Sequence, residues 1–295
     1  MTGEFRKRLE EMSEITDRRL EDYMNGVLSG TSGQRKVAEA MKYSLSAGGK
    51  RIRPVLTMEF CRVCGEDPEA ALPAACALEM IHTFSLIHDD LPCMDDDEMR
   101  RGKPSCHIAF GEPTALLAGD ALLNFAYETV CGGRLSAETK IVLITELTKA
   151  TGVNGMIGGQ EIDTAFEGQM DESVLLDMYS MKTGALLKSA CKMGCIAAGA
   201  GDEKIAAAEL YAEKLGLAFQ IIDDILDVTG DEKLLGKPIG SDRGNEKETF
   251  VSLNGIENSR KTAKTLTDDA LSALKAFENT DFLKELTLFL LKREY

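Results

Sequence analysis

The sequence predicts an all-α fold. Helix-favouring Ala, Leu, Met, Glu and Lys are abundant, and the 295-residue chain contains only seven prolines. It also lacks the regular alternation of apolar and polar residues that marks half-buried strands. A chain of this length can form one large helical domain or two smaller ones. Because no low-complexity linker divides it, we expect a single domain spanning residues 1–295.

The predicted helices follow one another through short connections. Glycine-rich or polar turns, such as residues 30–33 and 199–202, separate the helical stretches. The longest irregular stretches, 92–113 and 229–248, each follow an aspartate cluster, and long loops in compact domains are often functional. In chain order, we predict helices at residues 3–25, 36–46, 54–64, 70–89, 114–130, 137–151, 172–183, 184–198, 203–227, 256–274 and 281–292.

The charge of the chain argues against some classes of partner. It carries 34 basic and 49 acidic residues, a net charge of −15. Nucleic acids and anionic membranes bind basic surfaces, so we expect neither as a main partner. No run approaches the roughly 18 uninterrupted apolar residues of a membrane span, and residues 1–22 are too charged for a signal peptide. We therefore expect no stable membrane insertion.

The eight cysteines lie mostly in apolar, helical contexts. Cys61 and Cys64 have the spacing of half a zinc site, but no second half has ligand spacing. We predict reduced core thiols and a cytoplasmic protein.

Two aspartate clusters carry the strongest chemical signal. Residues 89–95 (DDLPCMD) and 223–227 (DDILD) each follow directly on an apolar run. Carboxylates beside buried residues are costly unless a cation neutralises them. Mg²⁺ prefers oxygen ligands and is commonly shared between one or two carboxylates and a substrate phosphate. The clusters therefore predict a metal-bridged phosphorylated ligand, and the apolar runs indicate that its other end is apolar.

The two clusters differ in local geometry. Asp223 and Asp227 are four residues apart and share one helix face. In the first cluster Pro92 disfavours an undisturbed helix, and a bend there would bring Asp95 back beside the first aspartate. An EF-hand at residues 95–97 is excluded, because the ligands do not alternate around a central glycine. The alternative for either cluster is an acidic, solvated helix end, which two similar clusters make a poorer explanation.

Basic residues complement the carboxylates. Residues 48–54 (GGKRIRP) place three cations beside two glycines at a predicted helix start, where backbone N–H groups can approach an anion. The segment is not a P-loop, and a surface patch is the alternative. Two anion sites are implied, one reached through metal and one bound directly by Lys50, Arg53 and their neighbours. His82 lies two helical turns before the first cluster on the same face, where a core histidine is the alternative.

Five motifs occur in the order found in the trans-isoprenyl diphosphate synthases, which the chain resembles. They are GGKRxRP at 48–54, DDx₄D with RRG at 89–102, GGQxxD at 158–163, KT at 182–183 and FQxxDDxxD at 219–227. The resemblance implies an all-α barrel of antiparallel helices around a deep central cavity (the type I isoprenoid synthase fold), usually in a homodimer. It also implies condensation of isopentenyl diphosphate with an allylic diphosphate such as dimethylallyl or geranyl diphosphate.

The resemblance assigns roles to the motif residues. Mg²⁺, about three ions per site with Mn²⁺ as an alternative, would be held or supported by Asp89, Asp90, Asp95, Asp223, Asp224 and Asp227. The allylic diphosphate would contact Arg100, Lys182 and Lys237, and Lys247 would also bind substrate. Isopentenyl diphosphate would bind Lys50, Arg53, His82 and Arg101. Gln160 and Asp163 would line the cavity mouth, and Thr183 and Gln220 would present dipoles to a carbocation.

The implied chemistry fits these residue types. Ionisation of an allylic diphosphate leaves a carbocation and a pyrophosphate, whose negative charge metals and cations stabilise. The carbocation needs weak dipoles and a dry pocket, because a nucleophile would trap it. The double bond of isopentenyl diphosphate then attacks, and the released pyrophosphate takes a proton. No Ser-His-Asp or Cys-His arrangement is needed.

Phe84 predicts a short product. It stands five residues before Asp89, about 7.5 Å along a helix, where its ring would plug the cavity beside Ser85. In the resembled family, an aromatic at this position together with the two-residue insertion in the first cluster accompanies farnesyl (C15) products. The alternatives are that Phe84 is ordinary core and that the product is geranylgeranyl diphosphate (C20). After residues 247–249 the family often has Tyr-Pro, where this chain has Phe250 and Val251.

Two other kinds of protein share part of this motif set with the synthases. A terpene cyclase shares the first aspartate motif but usually carries an Asn/Ser/Glu type in place of the second. A non-catalytic regulatory subunit typically loses one aspartate motif or the basic pairs. This chain retains all of them, which favours a synthase.

Overall fold

The computed structural model describes residues 2–165, 167, 170–229 and 248–292. Within these ranges the chain is almost entirely helical. The strands there are two residues long and form one antiparallel hairpin, β1 (Met99–Arg100) with β2 (Lys103–Pro104). The all-α prediction is confirmed.

The helices agree with the predicted ones to within a few residues wherever a helix was predicted. The bounds predicted for 137–151 and 281–292 are those observed. In chain order the helices are α1 (Gly3–Ser29), α2 (Arg35–Leu45), α3 (Ile52–Val63), α4 (Leu72–Asp89), α5 (Cys106–Phe110), α6 (Glu112–Gly132), α7 (Ala137–Thr151), α8 (Met156–Ala165), α9 (Glu172–Tyr179), α10 (Ala185–Ala197), α11 (Asp202–Thr229), α12 (Phe250–Asn254), α13 (Ile256–Ala273) and α14 (Asp281–Lys292).

Among the described residues, three α-helices lie where none was predicted: α5, α8 and α12. The helix α8 contains Gly158 and Gly159, and glycine has a low helix propensity. Both glycines are buried, and a Cβ at either would collide with neighbouring backbone. Close packing therefore explains a helix that composition alone disfavours.

The helix α4 forms the centre of the core. It packs against α3 and α6, and eleven of its first thirteen residues are buried. Together with the short 3₁₀ turn before it (Pro68–Ala71), it is long and apolar enough to cross a membrane. Most of that stretch is covered by other helices of the same chain, as expected of a core helix. Its C-terminal end carries the first aspartate cluster.

The helix α10 lies between α3, which carries Arg53, and α11, which carries the second aspartate cluster. It packs against α3, α7 and α11. A Cβ on Gly194 would lie 2.2 Å from the carbonyl oxygen of Thr57, so this glycine permits close approach of α10 to α3. The same contact places the sulfur atoms of Cys64 and Cys195 3.6 Å apart. The eight cysteines carry no disulfide.

Candidate active site

A cavity of about 440 Å³ opens between α3, α4, α6, α8 and the turn that precedes α10. Its wall includes apolar side chains, among them Leu116, Met156 and Ile157. One end is therefore suited to a hydrocarbon chain and the other to charged groups. Eight of the predicted site residues line it: Arg53, His82, Phe84, Ser85, Asp89, Gln160, Lys182 and Thr183.

The chain bends back at the first aspartate cluster, as Pro92 predicts. The helix α4 ends at Asp89, and the backbone N–H of Asp95 donates to the Asp89 carbonyl over 2.8 Å. Burial raises the pKa of the Asp89 carboxyl to about 6; Lys182 opposes this rise and Asp95 adds to it. Burial and a neighbouring carboxylate both disfavour the charged form of Asp89, and a bound cation would stabilise it.

The second aspartate of this cluster has a different environment. Asp90 is buried, and its Oδ1 accepts a hydrogen bond from Arg100 Nε over 2.8 Å and another from the Nη2 of the same guanidinium. Arg100 Nη2 also lies 3.0 Å from Asp97 Oδ2. Burial raises the pKa of Asp90, and Arg100 opposes that rise. The structure thus pairs Asp90 with Arg100 beside the cavity lining, where the predicted roles were a metal ligand and a diphosphate contact.

The second aspartate cluster lies on α11, outside the lining of this cavity, together with Gln220. Asp223 is half-buried, whereas Asp224 and Asp227 are buried. The Oδ2 atom of Asp224 accepts a hydrogen bond from the Tyr179 hydroxyl and one from the Phe250 N–H, each over 2.7 Å. Asp224 therefore ties α11 to α9 and α12.

Lys182 and Thr183 lie in a π-helical turn, Ser180–Gly184, between α9 and α10. Such turns are rare, and they occur frequently at functional sites. Lys182 Nζ donates to Asp163 Oδ2 on α8 over 2.6 Å. A Cβ on Gly159 would lie 2.2 Å from the backbone nitrogen of Lys182, so only glycine allows α8 to touch the turn. The GGQxxD motif thus positions Lys182 through both its glycine and its aspartate.

The second predicted anion site brings Arg53, Arg101 and His82 near one another, with Glu79 as a nearby counter-charge. Burial lowers the pKa of Arg53; Glu79 opposes this and Arg101 adds to it. Arg53 Nε is buried and has no hydrogen-bond partner among the described residues. Burial and then the charges of Arg53 and Arg101 hold the pKa of His82 well below its usual value, so His82 is neutral at pH 7. An anion bound here would accept a hydrogen bond from Arg53 Nε.

Two glycines hold Arg101 in place. Its Nη1 donates to the carbonyl of Gly48, and its guanidinium lies against Gly49. Gly49 has a φ of 133°, and a Cβ there would stand 2.9 Å from Arg101 Cζ. Lys50 is exposed beside them, with Nζ 5.5 Å from the centre of the Phe289 ring. The GG pair thus supports an arginine that lies 53 positions away in the sequence.

Arg51 has a structural role that the sequence did not reveal. It is 3 % exposed, and its guanidinium bonds Asp17, Glu79 and the Leu45 carbonyl at 2.6–2.7 Å. Its loss would leave Glu79 buried without this cation, which costs about 3–5 kcal/mol. Arg51 therefore anchors the loop that carries Lys50 and Arg53.

Two of the predicted substrate-binding residues, Lys237 and Lys247, lie outside the described residues. Within the part of the chain that the structure describes, no three His, Cys, Asp or Glu side chains converge closely enough to hold a metal by themselves. The donor set at Asp89 and Asp95 nevertheless fits Mg²⁺, which keeps few protein ligands and completes its shell with water and phosphate oxygens.

Comparison with known proteins agrees with this geometry. The chain matches the polyprenyl synthetase family over residues 34–287. The geranylgeranyl diphosphate synthase of Cyanophora paradoxa is 46% identical over 82% of this chain and 82% of its own length. The farnesyl diphosphate synthase of Geobacillus stearothermophilus is 44% identical over 82% of this chain and 83% of its own.

Solved structures share the whole fold. A crystal structure of an FPP/GFPP synthase from Zymomonas mobilis superposes with a TM-score of 0.87 at 34% identity, covering 99% of this chain and 100% of that one. The architecture is therefore that of the all-α isoprenyl synthases. The family match spans most of the sequence, and the shared fold spans nearly all of it. This chain belongs to the polyprenyl synthetase family.

Proposed function

We propose that this polyprenyl synthetase makes farnesyl diphosphate by adding isopentenyl diphosphate to dimethylallyl and geranyl diphosphates. The observation that carries the proposal is the position of Phe84. Its side chain is 5 % exposed and lines the cavity on the same helix as Asp89. The two residues are five positions apart on the helix, a rise of about 7.5 Å, which leaves little depth for a longer chain.

Geranylgeranyl diphosphate is the second candidate product. The Cyanophora relative carries that name at slightly higher identity than the Geobacillus farnesyl synthase. The two candidates share all chemistry at the carboxylates and differ only in how far the chain can grow. Product length, and not rate, separates them.

Metal binding is proposed at the two carboxylate clusters. Asp89 and Asp95 on one side and Asp223 on the other would hold Mg²⁺, supported by the remaining aspartates of each cluster. When bound, the metal would neutralise the charge that develops on the departing diphosphate. Asp90 would act through Arg100, and Asp224 through the position of α11, because both carboxylates are already hydrogen-bonded within the protein.

The protein's own side chains supply the rest of the proposed site. Lys182, oriented by Asp163, lies close enough to Asp89 to affect its titration and would contact the same diphosphate. Thr183 lies beside it and would offer a hydroxyl dipole to the allylic cation. The apolar wall at Leu116 and Met156 would exclude water, which would otherwise trap the cation.

Isopentenyl diphosphate is proposed to bind at Arg53, Arg101 and His82, with Lys50 at the entrance. Neutral His82 can donate one hydrogen bond without adding charge, and Arg53 Nε is a buried donor directed at no described protein group. Charge-assisted bonds to phosphate are roughly twice as strong as neutral ones. A bound diphosphate would thus offset the mutual repulsion of Arg53 and Arg101.

A homodimer is proposed from the exposed apolar residues of α6, α7 and the turn between α7 and α8. Leu117 is 52 % exposed, Ile141 65 % and Val153 74 %, on segments that contact one another. Exposed apolar patches of this kind mark interaction surfaces. We further propose that the chain works as one domain in the cytoplasm. Analytical ultracentrifugation would measure the assembly state, and a monomer at micromolar concentration would contradict the dimer.

A product assay tests the proposed function. Purified protein is incubated with Mg²⁺, labelled isopentenyl diphosphate and geranyl diphosphate, and the chain lengths are resolved after dephosphorylation. A parallel reaction with EDTA measures metal dependence. Predominant C15 supports the proposal, whereas C20 or longer would transfer it to the second candidate. No incorporation with any allylic primer, from folded protein, would favour a regulatory subunit.

A further inference from the structure

The side chain of His88 lies between the cavity and α6. Its ring lines the cavity and meets the Phe84 ring edge-to-face, with centroids 5.2 Å apart and planes at 89°. Its Nε2–H donates to the Leu116 carbonyl on α6 over 3.0 Å. Because Phe84 and His88 are four residues apart on α4, they are neighbours on one helix face. The imidazole is thus fixed by an aromatic contact on one side and by backbone on the other.

Gly119 makes room for this ring. A Cβ at position 119 would lie 2.2 Å from Nε2 and 2.4 Å from Cδ2 of His88, closer than non-bonded atoms approach. Gly119 lies well inside α6, where alanine would give a more stable helix. The missing side chain forms a notch in α6, and the imidazole fills it.

We propose that His88, seated in the Gly119 notch, sets the depth of the cavity by supporting the ring of Phe84. His88 is thereby a positioning residue that determines product length. The inference rests on the proposed chain elongation, because cavity depth matters only if a growing prenyl chain enters. A side chain adopts one of a few rotamers, and the neighbouring ring decides which rotamer of Phe84 the space allows.

Changes at His88 and Gly119 should shift product length in opposite directions. In His88→Ala the space behind Phe84 opens, its ring can swing aside, and longer chains fit. In Gly119→Ala the new methyl group pushes the imidazole out of the notch towards the cavity, and chains stop earlier. Discrimination of this kind by apolar contacts is roughly 10-fold or more. We expect the C20:C15 ratio to rise about 10-fold in His88→Ala, and the C15:C10 ratio to fall about 10-fold in Gly119→Ala.

The experiment uses dimethylallyl diphosphate and labelled isopentenyl diphosphate with each purified variant, and measures the C10, C15 and C20 fractions. Gly132→Ala is the matched control, because it lies on the same helix and a Cβ there meets nothing within 4 Å. It should keep the wild-type distribution. In the double variant His88→Ala/Gly119→Ala the clash is gone, so the product should follow His88→Ala.

The outcomes separate this inference from the proposed function. Wild-type protein alone tests elongation to C15, and the variants test the role of His88. Wild-type ratios in His88→Ala, with longer products from Phe84→Ala, would overturn the inference and leave the function standing. A Gly119→Ala shift that persists undiminished in the double variant would also overturn it, because the effect would not pass through the imidazole. If Gly119→Ala does not fold, His88→Ala decides by itself, since loss of stability lowers yield without lengthening the product.

Discussion

Gly159 gives a quantitative test because backbone atoms, and not a flexible side chain, surround it. A methyl group at this position would lie 2.2 Å from the backbone nitrogen of Lys182 and 2.7 Å from its Cα. Ordinary contact begins near 3.4 Å, so α8 and the π-helical turn must separate by about 1.2 Å. The 2.6 Å bond between Lys182 and Asp163 spans the same gap, and this displacement takes it beyond hydrogen-bonding distance.

We expect Gly159→Ala to lower kcat about 100-fold, the loss that a 1 Å misplacement of a catalytic group produces. Overpacking should also reduce stability by about 1–3 kcal/mol. Steady-state incorporation of labelled isopentenyl diphosphate at saturating Mg²⁺ measures the first effect, and thermal denaturation the second. Gly26→Ala is the matched control, because it is a helical glycine whose Cβ would meet nothing within 4 Å. A Gly159→Ala enzyme with wild-type kcat and Tm would refute the argument that this glycine sets the distance between α8 and the turn.

Four other results are expected. Phe84→Ala should lengthen the main product to C20 or beyond in the chain-length assay; unchanged C15 would remove Phe84 from the cavity floor. Asp223→Ala should lower turnover by several orders of magnitude with an unchanged circular dichroism spectrum, and normal turnover would contradict a metal site on α11. Because burial raises the pKa of Asp89 to about 6, its contribution to stability is present at pH 4 and lost as the pH rises through 6. Mg²⁺ should therefore raise Tm more at pH 7.5 than at pH 5, and an equal shift at both pH values would argue against Asp89 as a ligand. Arg53→Met should raise KM for isopentenyl diphosphate about 10–100-fold while raising Tm, because it removes a buried cation whose Nε has no hydrogen-bond partner among the described residues; an unchanged KM would contradict the second anion site.

Local signals account for the parts of the fold and site that the sequence predicts. Helix propensity and glycine-rich turns locate α7 and α14 to the residue, and Pro92 accounts for the bend that returns Asp95 to Asp89. Each of these depends on neighbours within one or two helical turns. The prediction of a metal-bridged phosphorylated ligand likewise depends only on the residues within each aspartate cluster and the apolar run before it.

Partners far apart in sequence decide the parts that were not predicted. Arg51 looks like one more cation of its motif, yet it bonds groups on α1 and α4 and serves the fold. Asp90 and Arg100 each match a motif, and only the folded chain shows that they neutralise one another. The helix α8 was missed because its glycines, read locally, oppose a helix, whereas the turn around Lys182 requires them. Tertiary contact overrides helix propensity in α8, and at Arg51 and Asp90 it selects the bonding partner.

The Asp224 carboxylate joins helices that lie far apart in the sequence. It accepts hydrogen bonds from Tyr179, 45 positions earlier, and from Phe250, 26 positions later. Removing a buried acceptor while its donors stay buried costs about 1–3 kcal/mol. A substitution of Asp224 would therefore disturb the placement of the helix that also carries Asp223. Loss of activity in such a variant would report a displaced helix as well as a missing charge.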